Sequence, residues 1–306
     1  MTHPDDELGA RTSENVINSI LSRSYEMYED FESCQPEGLA FHGDELSNLP
    51  LFEEEDKLCL MHRDAHFSGS FPVMKEYYEN PEAKGAIEEI DLERIELLEN
   101  IQKGMKTDLA PLLITGPDAE KVALSKQMYK ELSALCEKDP LSPEGMLSAA
   151  ILSEDDVDQI VEHAPASLLQ KPEMLLLLAT SELFCDPLFP GYGTASLLAI
   201  RLLGKMKYEP ALQDLFALIG RRDFSTESAV LEALRKMGAP AKKFAMDRLS
   251  SFPLTGDHER AALVLIEFLP DDEITDLFLK ILADARMTNS KLRRYLNLGV
   301  ETSCDK

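Results

Sequence analysis

The strongest constraint on this chain is a unit that recurs three times between residues 195 and 285. The first copy runs from Ala199 to Met206 and resumes from Glu209 to Ile219. The second runs from Ala229 to Gly238 and resumes from Pro240 to Leu249. The third runs from Ala261 to Leu269 and resumes from Asp271 to Leu282. Met206 and Met237 are 31 positions apart, and Leu269 follows Met237 by 32. Each copy places apolar residues at helical spacing on both sides of a short break. A period of this size predicts helix pairs that cannot bury their apolar faces alone and do so by stacking.

The rest of the chain is written in the same grammar. No alternating β-branched runs and no Asn-Gly hairpin signals occur, and tryptophan is absent. The apolar load falls on Leu, Ile, Ala and Met, which suits helix-on-helix packing. The expected fold is all-α. Helical spacing starts after Ser13 with Val16, Ile17, Ile20 and Leu21. An irregular connector follows through the acidic run Glu53-Glu54-Glu55-Asp56. Leu58 to Phe67 reads as a short helix. Ser70 with Pro72 starts another, which Asn80-Pro81 ends. Ile87 to Met105, Leu109 to Ile114 and Val122 to Cys136 read as further helices. The stretch from Lys138 to Pro143 has the composition of a linker. The run Ser153-Glu154-Asp155-Asp156 starts a helix through Val161 as an N-cap with acidic residues at its positive end, and Pro172 opens an apolar one to Phe184. The Gly191-Tyr192-Gly193 loop leads into the repeats.

Charge divides the chain unevenly. Of the 56 acidic and 31 basic side chains, residues 1–165 carry 37 and 13, leaving 19 and 18 for residues 166–306. The balances are therefore −24 and −1, which sum to the net −25. An acidic half repels phosphate backbones and anionic lipid, so nucleic acid and membrane are poor partners and a basic protein is a better one. The segments expected are an acidic helix and connector over 1–56, an acidic helical region over 57–165 and a repeat region over 166–306. The 57–165 region is either degenerate repeats or a separate cap. Five scattered cysteines without a Cys-x-x-Cys pair argue for a reducing compartment and against a structural zinc site. The acidic start lacks a secretory pattern, and the apolar run Met174 to Ala179 is too short to span a bilayer. The cytoplasm is the expected location, and no cofactor is expected.

Leu203-Gly204-Lys205-Met206, then Glu209-Pro210-Ala211-Leu212 and Leu215, Leu218 and Ile219, resembles the short HEAT-like (armadillo-type) repeat. This is the kind also seen in phycobilisome-lyase-type proteins. Such repeats turn at a Leu-Gly and start the second helix near a Pro-Ala. The second copy keeps this as Met237-Gly238 and Pro240-Ala241, whereas the third substitutes Leu269-Pro270-Asp271. The resemblance implies an α-solenoid whose second helices line a binding surface. With Ala211, Ala241 and Ile274 as equivalent buried positions, Gln213, Lys243 and Asp276 form a ladder, joined by Arg221 and Lys280. The bland alternative is ordinary solvated surface.

His62-Arg63-Asp64-Ala65-His66 is the sharpest local pattern. On a helix, His62 and His66 share a face at a spacing that can clamp a metal, while Asp64 points elsewhere. The competing reading is a packed helix corner with Phe67. The function expected is therefore a non-enzymatic protein-binding scaffold. The rivals are a metal-dependent enzyme using His62, Asp64 and His66, and a nucleic-acid-binding solenoid gripping with Arg221-Arg222, Lys242-Lys243 and Arg293-Arg294.

Overall fold

The computed structural model describes residues 53–80, 83, 90–221, 223–251, 255–284 and 287–304. The helix expected after Ser13, the connector up to residue 52, the expected helix start at Ile87 and Arg222 lie outside them. The described residues form fifteen α-helices and three short 3-10 turns, and no strand occurs among them. Two compact units divide the chain: Met1–Met174 with Ser181–Ser196, and Leu175–Thr180 with Leu197–Lys306. The charge step near residue 165 lies inside the first unit.

The first unit is organised around α1, Glu53–His66. Cys59, Leu60, Met61, His62 and Arg63 are buried in succession, so the middle of this helix has no solvent face. It packs against α3 (Leu92–Met105), α4 (Ala110–Leu113) and α5 (Pro117–Lys138). The helix begins earlier than its apolar spacing suggests and takes in the acidic run read as connector. Carboxylates suit the positive N-terminal end of a helix. One of them, Asp56, is fully buried and grips the Arg94 guanidinium of α3 through two contacts of 2.5 Å.

Arg63 is fully buried as well. Its guanidinium donates to Asp64 Oδ1 at 2.7 Å, Gln102 Oε1 at 2.9 Å and Asp108 Oδ1 at 2.9 Å. The same group lies 4.6 Å from the Phe71 ring centroid at the start of α2, Phe71–Tyr78. One side chain thus ties α1 to α2, α3 and the turn before α4. Pro72 sits in the first turn of α2, as expected, and the Ser70 hydroxyl caps that helix.

The supposed linker at 138–143 is a tight turn between packed helices. Ser142 caps α6 (Pro143–Leu152) by accepting from Gly145 N at 3.0 Å, and α6 packs against α5. A Cβ at Gly145 would stand 2.0 Å from the Asp139 carbonyl oxygen, so the turn closes only over glycine. Asp156 caps α7, Val157–Glu162. Pro172–Thr180 is α8 and Ala195–Met206 is α9.

The second unit holds the repeats. After α9 come α10 (Leu212–Leu218), α11 (Phe224–Met237), α12 (Ala239–Leu249), α13 (Gly256–Ile266), α14 (Asp272–Leu282) and α15 (Ser290–Cys304). Two strings of neighbours run through it. Gly204 of α9 abuts Ala233 of α11, and α11 packs on α13. Phe216 of α10 meets Phe244 of α12 with ring centroids 5.3 Å apart. Lys242 of α12 then reaches Asp271 and Glu273 at the start of α14, at 2.7 and 3.0 Å. α15 packs against both α13 and α14.

The turn at Leu203-Gly204 is a correction. Gly204 lies inside α9, and the left-handed residue that ends the helix is Lys207, φ +53°. Its counterpart 31 positions on is Gly238, φ +74°, where the expected turn does occur. Glycine serves either a left-handed turn or a close approach, and spacing alone does not say which. In the third copy Asp271 caps α14 by accepting from Ile274 N at 3.2 Å.

Candidate functional site

In the second unit, Ala211, Ala241 and Ile274 are buried, while Gln213, Lys243 and Asp276 are exposed. Gln213 is the second residue of α10, whereas Lys243 and Asp276 are the fifth residues of α12 and α14, and Lys280 is exposed one turn beyond Asp276. Arg221 is exposed but sits in the connector after α10. The Lys242-Lys243 pair is split. Lys243 faces solvent, whereas Lys242 is held by Asp271 and Glu273. Its hydrogen bond to Asp271 raises the ammonium above its ordinary range and lowers the Asp271 carboxyl. Arg293 likewise spends a donor on the Met287 carbonyl at 2.9 Å. Sequence reading missed Phe224, the first residue of α11, which is 87% exposed three positions after Arg221. An apolar side chain directly after the capping Asp223 was its only signal.

In the first unit, His62 and His66 do share a face, with ring centroids 4.5 Å apart. Asp64 does not join them and pairs with Arg63 instead. His66 is held at both nitrogens, Nδ1 at 2.5 Å from the Tyr129 hydroxyl and Nε2 at 2.9 Å from the Pro187 carbonyl. Among the described residues no three His, Cys, Asp or Glu side chains gather where they could hold a metal ion.

What surrounds the pair is aromatic. Tyr192 stacks on His66 at 4.4 Å, and Tyr77 stacks on Tyr192 at 5.9 Å. Phe67 and Tyr78 approach His62 edge-on at 5.4 and 5.9 Å. Tyr77 donates to Glu154 at 3.1 Å. Burial lowers the His66 imidazole to about 4, against the raising effect of the Pro187 contact. It also raises the phenols of Tyr129 and Tyr192. The Gly191-Tyr192-Gly193 loop, read as a mere entry to the repeats, presents Tyr192. All three residues have positive φ, and a Cβ at Gly193 would stand 2.8 Å from the Cys185 carbonyl oxygen. Tyr192 between two glycines was the signal for this member. Tyr77 and Tyr129 carried none.

Cys59, Cys136 and Cys185 are free thiols, and burial pushes Cys59 up to about 12, so that thiol is inert at neutral pH. An open cleft of about 450 Å³ is lined by Asp64, Pro111, Ile114, Val122 and Lys126, among others. Among the described residues no helix is long and apolar enough to cross a membrane. Comparison with protein-family models, curated proteins and solved structures finds no match for this chain.

Proposed function

We propose that this chain is a non-enzymatic protein-binding scaffold whose second unit is a short HEAT-like α-solenoid. The observation that carries the reading is the regular placement of Gln213, Lys243 and Asp276. Each is exposed two positions after a buried anchor, on three helices linked side by side through Phe216–Phe244 and Lys242–Asp271. Repeating exposed positions on adjacent helices make an extended contact surface. Phe224 at its edge supplies the kind of aromatic that anchors protein interfaces. The partner is a protein with a basic segment, attracted by the acidic half of the chain. Nucleic acid is disfavoured by the same charge and by the engagement of Lys242 with two carboxylates. The free thiols agree with a reducing compartment, here the cytoplasm.

The test is site-specific photocrosslinking in cells. A photoreactive amino acid placed at 213, 243 or 276 should trap one common protein. The same probe at Lys236, exposed on the α11 side of the pair, should not. Adducts that are absent from all three positions, or equally strong at Lys236, would remove the reading.

A further inference from the structure

The first unit carries a second open cleft, of about 490 Å³, apart from the one beside Asp64. One wall is Met146, Ala149 and Ala150 of α6, and the other is Gln159 and Ile160 of α7, with Leu168 beyond it. The 3-10 turn Leu168–Gln170 packs on α6, so the two helices and this turn frame one hollow. A volume of this size is in the range of sites that enclose apolar groups. The alanines are small, which lets a further helix come close to α6. Leu141, next to the lining residue Pro140, is 76% exposed, more than any other large apolar side chain described in the first unit. An apolar hollow with an exposed apolar neighbour marks a place where a partner's side chain fits. The charge around it has one sign. Residues 139–170 hold seven Asp or Glu and no Lys or Arg. Of these acids Asp155 lines the hollow, and Glu154, Asp156, Asp158 and Glu162 are exposed around α7. The flanking cations do little to offset them. Lys171 is held by the buried Glu144 at 2.7 Å, and Lys138 stands between Glu137 and Asp139. His163, the other titratable lining residue, turns its Nδ1 to the Gln159 carbonyl at 2.9 Å.

We infer that this hollow takes a basic amphipathic helix of the partner protein. An apolar side chain of that helix enters between α6 and α7, and Lys or Arg on its flanks meet Asp155, Asp158 and Glu162. An acidic helix, an anionic membrane or a nucleic acid meets the same carboxylates unfavourably. The inference rests on the reading of the chain as a binder of a protein with a basic segment, and it names where that segment docks.

The probe is a peptide about five helical turns long, with Leu on one helical face and Lys on the other. It is added at ordinary salt to the full chain carrying carbon-13 methionine methyls, and Met146→Leu assigns the Met146 signal. The peptide should shift that methyl, and a scrambled peptide of the same composition should not. Dissociation of a labelled peptide is followed by stopped-flow fluorescence. Ala149→Arg and Gln159→Arg stand at exposed positions on the two walls, and each should hasten dissociation about tenfold or more by placing a cation in the hollow. Asp158→Asn with Glu162→Gln should hasten it about threefold. Glu54→Gln with Glu93→Gln removes as much charge from α1 and α3 and should leave dissociation unchanged. An unmoved Met146 methyl, an equal shift from the scrambled peptide, or equal dissociation from the two neutralised pairs overturns the inference. In cells, a photoreactive residue at 149 should trap the protein trapped at 213, 243 and 276. Trapping at those three but not at 149, or trapping of a second copy of this chain at 149, overturns the docking site alone. Trapping at none of the four overturns the scaffold reading with it.

Discussion

Gly204 of α9 and Ala233 of α11 are in backbone contact: a Cβ at position 204 would stand 2.7 Å from both the Cα and the Cβ of Ala233. Alanine is the better helix former by about 1 kcal/mol, so propensity alone would make Gly204→Ala stabilising. Packing decides otherwise, since the neighbouring atoms belong to a helix backbone and cannot rotate away. Gly204→Ala should lose about 1–3 kcal/mol in urea denaturation. The control is Gly104, in the last turn of α3, where an added Cβ meets nothing within 4 Å. Gly104→Ala should gain up to about 1 kcal/mol. If both substitutions shift stability the same way, the contact between α9 and α11 is looser than described.

His66 makes stability depend on pH. Its folded value, near 4, lies below the ordinary 6.5 because burial disfavours the charged ring. The stabilising contribution is therefore complete above about 6.5 and is lost as the pH falls from there towards 4. Each pH unit in that window is worth about 1.4 kcal/mol at most. The stability advantage of the natural chain over His66→Gln should thus fall by up to about 3 kcal/mol between pH 7 and pH 4. Parallel stability curves for the two proteins across this window would show that the imidazole is not held neutral.

Helix positions were legible wherever a local chemical signal marks an end. Pro72 after Ser70 and the run Ser153 to Asp156 announce their helices, and Met237-Gly238 announces its turn. Spatial partnership was not legible, because periodicity says which face of a helix is buried but not against what. Asp56 reads as one acid in a solvated run, yet its partner is Arg94, 38 positions away. The tyrosines around His66 come from three separate segments, and only the fold brings them together. The spacing of His62 and His66 did place them on one face. Their surroundings, aromatic rings and a backbone carbonyl, could not be read from it.

Arg63 is the buried cation on which the first unit is centred. Arg63→Ala should cost about 3–5 kcal/mol, since it empties a core site and strips partners from Gln102 and Asp108. Arg63→Met keeps most of the volume. It leaves behind Asp108, whose side chain is half exposed and can turn to water, so its loss should be smaller. Denaturation of the two variants side by side tests this ordering. Equal losses would mean that charge, rather than filled volume, is what the site requires.

The two halves of the proposed binding surface should differ in kinetics. Gln213, Lys243 and Asp276 are exposed, so replacing all three with alanine should change stability by no more than about 0.5 kcal/mol per site. With the partner trapped by crosslinking in hand, the same triple variant should chiefly hasten dissociation, as loss of contacts within an interface does. The acidic half acts at longer range and is screened within about 10 Å at ordinary salt. Neutralising the exposed Glu54, Glu55 and Glu93 should therefore slow association and flatten its dependence on sodium chloride, while dissociation is little changed. Asp56 is unsuitable for that set, because it is buried against Arg94 and its loss would unsettle α1. If the triple alanine variant dissociates at the natural rate, the contact surface lies elsewhere on the second unit. If the glutamate variant keeps the natural salt dependence, the acidic charge plays no part in capturing the partner.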